Sequence, residues 1–364
     1  MSNGVGSRPA PGRARQVGRV LGVVALVVLA ALPGLSSNSF YLHLAILICL
    51  NTIFACGLGL IARAGQLSLC HGAFVGVGAY AGAVLGLKLA APFWFEVAAA
   101  TLLCAALAAL LGRAILGLRG VYFTLVTFAF GEAVRLLLLD WSWFSGGANG
   151  LAGIGPVRLG GFVFASRFSF YLVALLGAAG IVLLLRTLLR SPVGRAFGAV
   201  AENAALAEGV GISARRVRML AFVLGSASAG AGGVLLAHYL GYISPEAFGF
   251  PLSVTLITMV VLGGRTSWAG PLLGALFLTP LPELLRRTEE LQHILHGLIL
   301  ILIPRLLPQG LAGAVGAAAA IANKALAGGP AEKKPTAQQD ACSACRGVEK
   351  TALAPPAKRS PAIE

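Results

Sequence analysis

Charge is scarce in this sequence. Asp, Glu, Lys and Arg make up 11% of its 364 residues, where a water-soluble domain carries about a quarter. Hydrophobic residues reach 57%, and the two figures together exclude an ordinary soluble domain. Acidic residues are the rarer sign, 13 against 28 basic ones, which gives a formal net charge of +15. A nucleic-acid binder would spread that surplus over a solvated face. Here the basic residues stand singly between long apolar runs, so nucleic acid is not an expected partner. No G-x-x-x-x-G-K-[ST] loop occurs, and the chain therefore does not bind and hydrolyse ATP by itself. His43, His71, His238, His293 and His296 are scattered, none at a metal-ligand spacing with a carboxylate. No catalytic residue, metal or cofactor is expected in this chain. Cys49, Cys56, Cys70 and Cys104 lie inside apolar runs and read as small core residues. Cys342-x-x-Cys345 is a single pair without a second pair or a nearby His, a weak metal or redox signal.

What is abundant is apolar length. Runs fall near 20–36, 40–62, 67–90, 93–112, 116–139, 168–189, 217–240, 251–264, 268–284 and 291–304. A helix of about 20 residues crosses the roughly 30 Å hydrocarbon core, so the fold class is an all-α polytopic membrane protein of eight to ten spans. The runs at 251–264 and 268–284 are short and Gly-interrupted, as two half-helices or one broken hairpin would be. Arg8, Arg13, Arg15 and Arg19 precede the first run, and no A-x-A site closes it, so it reads as a retained helix. With every run crossing, Arg63, Arg113, Arg186, Arg190, Arg195, Arg215, Arg216 and Arg218 share one side with the N-terminus. Lys88, Arg158 and Arg167 fall on the other. Lys and Arg collect in cytoplasmic loops, which puts both termini in the cytoplasm of a bacterial inner membrane protein. The domains expected are a basic N-terminus at 1–19, a membrane domain at 20–305 and a disordered tail at 306–364.

Two loops are long. The outer one, 141–167, holds Ser145-Gly146-Gly147-Ala148-Asn149-Gly150. The inner one, 190–217, runs from Ser191-Pro192-Val193-Gly194-Arg195 into a helix-compatible Ala199–Glu208, with Gly209 and Gly211 placed to end that helix. Small residues recur at Gly72, Gly76, Gly78, Gly82 and Gly86, and again at Ser226, Ala229, Gly230 and Gly233. Such spacings let helices approach closely in lipid, and thin faces of this kind pack tightly or slide to line a conduit. Glu132 and Arg135 stand at i and i+3 within the fifth span. An unpaired charge there costs about 3 kcal/mol or more, so they form a structural ion pair or border a pathway. Arg63-Ala64-Gly65-Gln66-Leu67-Ser68 and Gly264-Arg265-Thr266-Ser267-Trp268-Ala269-Gly270-Pro271 each precede an apolar run. Interrupted segments at matching positions of two halves point to a substrate path in transporters. Gln66, Ser68, Glu132, Arg135 and Asn149 are the expected path residues. A carrier working alone on an ion gradient would need more intramembrane carboxylates than Glu132.

The motifs carry a resemblance. Gly65-Gln66-Leu67-Ser68-Leu69, Ala73-Phe74 and Gly78-Ala79-Tyr80 are followed in order by Leu118-Arg119-Gly120-Val121-Tyr122-Phe123 and Gly146-Gly147-Ala148-Asn149-Gly150-Leu151. Then come Ser191-Pro192-Val193-Gly194-Arg195, Glu202-Asn203 and Gly211-Ile212. Ala237-His238-Tyr239, Ser244-Pro245-Glu246-Ala247-Phe248-Gly249-Phe250 and Val260-Val261-Leu262-Gly263-Gly264 close the series. Over roughly 20–305 the chain resembles the permease subunits of branched-chain amino-acid ABC importers, the LivM-like subunit more than the LivH-like one. Cys70 stands where that family usually has Gly, and Arg265-Thr266 replaces a more apolar turn. The resemblance implies a second permease subunit, two cytoplasmic ATP-binding subunits that hold the ATP, and an extracytoplasmic solute-binding protein. It makes 190–217 the ATPase-coupling loop, with Arg195, Glu202, Asn203, Glu208 and Gly211 on it.

Overall fold

The computed structural model describes residues 39–118, 120–159, 162–164, 166–264 and 267–284, with 297–298, 302 and 310–313 besides. The expected first span, all but 297, 298 and 302 of the expected last one, and Arg265, Thr266, His293, His296, Cys342 and Cys345 lie outside these residues. Seven helical stretches among them are long and apolar enough to cross a membrane. They are α1 (Ser39–Arg63), α2 (His71–Leu89), α3 (Phe93–Ile115), α4 (Val121–Asp140), α5 (Arg167–Arg190), α8 (Ala214–Leu240), and α9 (Phe250–Gly263) with the 3-10 turn Pro245–Phe248 before it. Helix is the form these runs take because the bilayer core offers no water to unpaired backbone groups. Between α5 and α8 come α6 (Pro192–Glu202) and α7 (Ala204–Gly209), and after α9 comes the shorter α10 (Gly270–Leu278).

The core is built on α1, whose most apolar window is 83% buried, against 17% for α4. Around α1 pack α8, α5, α9 and α10. The contact faces are made of small residues, and the approach is backbone to backbone. A Cβ on Gly78 of α2 would stand 2.3 Å from the carbonyl oxygen of Gly230 on α8, and one on Gly57 of α1 would stand 2.7 Å from that of Gly225. Of the two uses open to such faces, the structure shows packing: at these glycines the surfaces are buried against protein.

The runs 251–264 and 268–284 resolve into one hairpin. Helices α9 and α10 pack together at Gly263 and Gly274, where an added Cβ would meet Gly270 and Met259 backbone at 1.8 Å. Asn51 of α1 donates to Thr279 Oγ1 (3.0 Å), and Gly72 N–H donates to Ser253 Oγ (3.0 Å), so the hairpin is bonded into the core. Residues 310–313 are helical, with Gly310 buried against Gly264.

The outer loop is held in four places. Strand β1 (Leu151–Ala152) pairs antiparallel with β4 (Tyr242–Ile243), and β2 (Val157–Leu159) with β3 (Phe162–Phe164). Lys88 Nζ donates to the Trp143 carbonyl (3.0 Å) and stands 4.2 Å over that indole ring. His238 donates from Nδ1 to the Gly155 carbonyl (2.7 Å). The described cysteines are free and buried, as expected of small core residues.

Candidate transport path and coupling loop

Between α1 and α2 the chain leaves the helix for Ala64–Cys70 and runs beside α4. Gly65 makes the turn possible, with φ +80°, a conformation glycine adopts without steric cost. Leu69 N–H donates to Thr127 Oγ1 (3.1 Å), and Thr124 Oγ1 donates to the Leu67 carbonyl (3.4 Å). Seven residues up from Thr124, Gly131 lets Cys70 come close, 3.6 Å from where a Cβ would stand. Unwound backbone at membrane depth survives only where it is buried or lines a cavity, and here Ala64, Gln66, Ser68 and Cys70 are buried. Ser68 is fully buried with its hydroxyl 3.1 Å from Cys70 Sγ. Gln66 is 6% exposed, and its Oε1 has no hydrogen-bond partner. Leu69 lines a cleft with Phe128, Gly131, Glu132, Phe248 and Ser253, too narrow to admit water.

Above this cleft stands a charged group of three. Arg135 Nε donates to Glu132 Oε2 (2.8 Å), and its Nη1 donates to Glu246 Oε1 (2.8 Å). The pair read at i, i+3 is therefore real but incomplete. Glu246 comes from the 3-10 turn before α9, 111 residues away, and no spacing rule reaches it. Arg135 also packs its stem on Gly249. The group carries two carboxylates for one guanidinium, and it ties α4 to the turn that feeds α9. Glu132 and Arg135 thus stand on α4, and Gln66 and Ser68 on the unwound segment whose Leu67 and Leu69 bond to it. Asn149 is exposed on the outer loop, in the 3-10 turn Gly147–Asn149, which packs against α4 and the turn Pro245–Phe248.

The inner loop folds differently from its expected single helix across Ala199–Glu208. Two helices form, α6 and α7, broken at Asn203, whose backbone is extended (φ −155°, ψ 104°). Asn203 Oδ1 accepts from Leu206 N–H (3.1 Å). An Asn side chain competes for the backbone in this way and starts a new helix better than it continues one. Arg195 lies within α6 rather than at its edge. Gly211 has φ +85° and turns the chain toward α8, as expected. Phe197 is fully buried beside Cys56, Leu60, Val182 and Ala221, which seats α6 on the ends of α1, α5 and α8. Arg195, Glu202, Asn203 and Glu208 are exposed, and so are Leu206 (73%) and Val210 (75%). A Cβ on Gly65 would stand 3.2 Å from Ala201 Cα, so α6 abuts the unwound segment itself.

Residues 40–304 match the family described as branched-chain amino acid transport system / permease component. The chain belongs to this family. The permease is 34% identical over 313 residues to the high-affinity branched-chain amino acid transport system permease protein LivM of Escherichia coli K12, covering 79% of this chain and 74% of that relative. LivM of Salmonella typhimurium is 36% identical over 281 residues, 70% of this chain and 66% of its own. The permease protein LivH of Escherichia coli K12 is 36% identical over 125 residues, 34% of this chain and 40% of its own. No solved structure matches. The permease is a multi-pass membrane transport component with an all-α fold.

One buried pair had no signal in the sequence. Glu96 at the start of α3 and His238 at the end of α8 approach to 2.5 Å, with side chains 3% and 7% exposed. They are 142 residues apart, so neither reads as part of a site. Gly155 offers His238 Nδ1 only an acceptor, so Nδ1 carries a proton and donates it. One further proton is then shared between Nε2 and Glu96. Gly86 of α2 makes room, since a Cβ there would stand 2.7 Å from Glu96 Oε1. Among the described residues no group of three metal-ligating side chains occurs.

Proposed function

We propose that this permease is one of two membrane-spanning subunits of an importer. It carries branched-chain amino acids, or a related small polar solute, across the bacterial cytoplasmic membrane on energy from ATP hydrolysed by separate subunits. The observation that carries the reading is the contact between Ala201 and Gly65. It joins a rigid protruding pair of helices to the unwound segment bonded along α4. A membrane domain powered from outside needs such a lever, because closure of an ATPase reaches the bilayer only by contact. Leu206 and Val210, two large apolar side chains exposed beside Glu202, Asn203 and Glu208, make a patch suited to a protein partner.

The partners follow. The likeness to both LivM and LivH relatives supports pairing with a LivH-like second permease across the exposed face of α4. Two ATP-binding subunits dock on α6 and α7 and hold the ATP, so this chain needs no cofactor. An extracytoplasmic binding protein meets the outer loop around Asn149. Both termini face the cytoplasm, and solute passes beside Gln66, Ser68, Glu132 and Arg135.

The test is coupling. In reconstituted complexes, Gly211→Val forces a β-branched residue to φ +85°, and Glu202→Lys reverses an exposed charge of the loop. Both are expected to leave the membrane domain folded while uptake and solute-stimulated ATP hydrolysis fall together, about tenfold. Parental ATP hydrolysis and uptake in both variants would sink the reading.

A further inference from the structure

At the end of the bundle that bears α6 and α7, a groove of about 610 Å³ opens between α3 and α8. Its mouth is lined by Arg113, Arg215 and Arg216, and its wall by Met219, Leu220 and Val223. The three arginines are exposed, and no carboxylate lines the groove. Arg215 Nη2 donates to the Arg113 carbonyl (3.0 Å), which fixes one guanidinium across the gap. From Arg216 to Val223 is seven residues of helix, about 10 Å at 1.5 Å per residue. The wall therefore runs from the interface into the depth of the hydrocarbon. Arg215 and Arg216 sit where α8's own dipole opposes them: its first turn holds no acidic residue, and cations at a helix N-terminus are disfavoured, while Arg113 stands in the last turn of α3. Among the described residues no carboxylate lines the groove to answer this cluster, and an anion would.

We propose that this groove binds an anionic phospholipid, its phosphate among Arg113, Arg215 and Arg216 and one acyl chain along Met219, Leu220 and Val223. Basic pockets between spans at the cytoplasmic side have the chemistry for such headgroups, and each Arg or Lys near the surface strengthens binding about fivefold. The shape fixes the ligand class. A free phosphate would use the arginines and ignore the wall, whereas a neutral lipid would use the wall and leave three positive charges unanswered. The assignment to the cytoplasmic leaflet rests on the orientation proposed above. The lipid site does not, and it holds whichever solute is carried.

The test is native mass spectrometry of the full chain, purified in mild detergent with the subunits that accompany it. The chain is expected to retain phosphatidylglycerol in preference to phosphatidylethanolamine. Arg113→Gln and Arg216→Gln should each lower that retention about fivefold and together about twentyfold. Leu220→Asn, which touches only the wall, should lower it as well. Arg158→Gln, which removes one charge from the outer loop, should leave it unchanged. Equal retention of the two lipids by the parent would overturn the proposal, and so would parental retention in the double variant. Displacement of the lipid by millimolar inorganic phosphate alone, or insensitivity to Leu220→Asn, would reduce the groove to a bare anion site and overturn it too.

Discussion

Removing His238 should expose what the buried pair at the start of α3 and the end of α8 contributes. In His238→Ala, Glu96 remains in a site where its side chain is 3% exposed and loses the proton shared with the imidazole. Breaking a buried charged pair by deleting one partner costs about 3–5 kcal/mol, most of it from the uncompensated charge left behind. For a domain of this size, each kcal/mol lowers the unfolding midpoint by about 2–4 °C, so the purified permease should lose roughly 6–20 °C. Replacing the carboxylate as well, in Glu96→Gln/His238→Ala, takes away the buried charge and should recover a large part of the loss. The two substitutions are then non-additive, as expected for groups in direct contact. Differential scanning fluorimetry on the parent, both singles and the double measures this in one series. Should His238→Ala melt within about 2 °C of the parent, or the double lose the sum of the singles, the pair is not the clasp described.

Two more predictions concern the path and the packing. Arg135→Gln leaves Glu132 and Glu246 facing each other without a cation and should cut uptake more than about tenfold, whereas Glu132→Gln keeps the Arg135–Glu246 bond and should cost less than about threefold; equal losses would show that the three charges do not act as a unit. Gly78→Val drives a side chain into Gly230 backbone, which cannot rotate away, and should cost roughly 3 kcal/mol, the upper part of the range for overpacking. Gly180→Ala, with open space around it, should be neutral; assembled protein recovered from membranes distinguishes the two, and equal yields would refute the backbone-contact account.

Much of the architecture was legible because membrane helices declare themselves locally. A run of apolar residues is a span wherever it occurs, and small residues four apart announce a close face, so α1, α2, α5 and α8 were readable from their own residues. Glycines at the ends of the inner loop gave its return turn at Gly211 for the same reason. The failures share one property, which is separation along the chain. Glu246 meets Arg135 from the far side of two spans, and His238 meets Glu96 across 142 residues. Neither has a periodicity to betray it, since each contact exists only through the folding of the helices between. The break at Asn203 is a different miss. Its signal was local, an Asn able to cap, but the alanines on both sides favoured one continuous helix and outweighed it.

The packing also says where movement is cheap. Helices α1, α2 and α8 meet through backbone atoms at Gly57, Gly78, Gly225 and Gly230, and a shift of even 1 Å there brings main chain onto main chain. Interiors packed in this way switch between discrete arrangements and do not deform continuously. Helix α4 is held otherwise. Two threonine hydrogen bonds, one guanidinium and the ring contacts of Phe123 with Phe222, Phe130 with Phe74 and Phe128 with Phe250 attach it to the rest, through side chains and without backbone meeting backbone. The rigid trio is therefore the frame, and α4 with its unwound companion strand is the part free to change. Helix α6 meets both parts: Phe197 seats it on the ends of α1, α5 and α8, and Ala201 abuts Gly65 on the companion, so a push from the inner loop that the frame resists is passed to the segment that costs least to move.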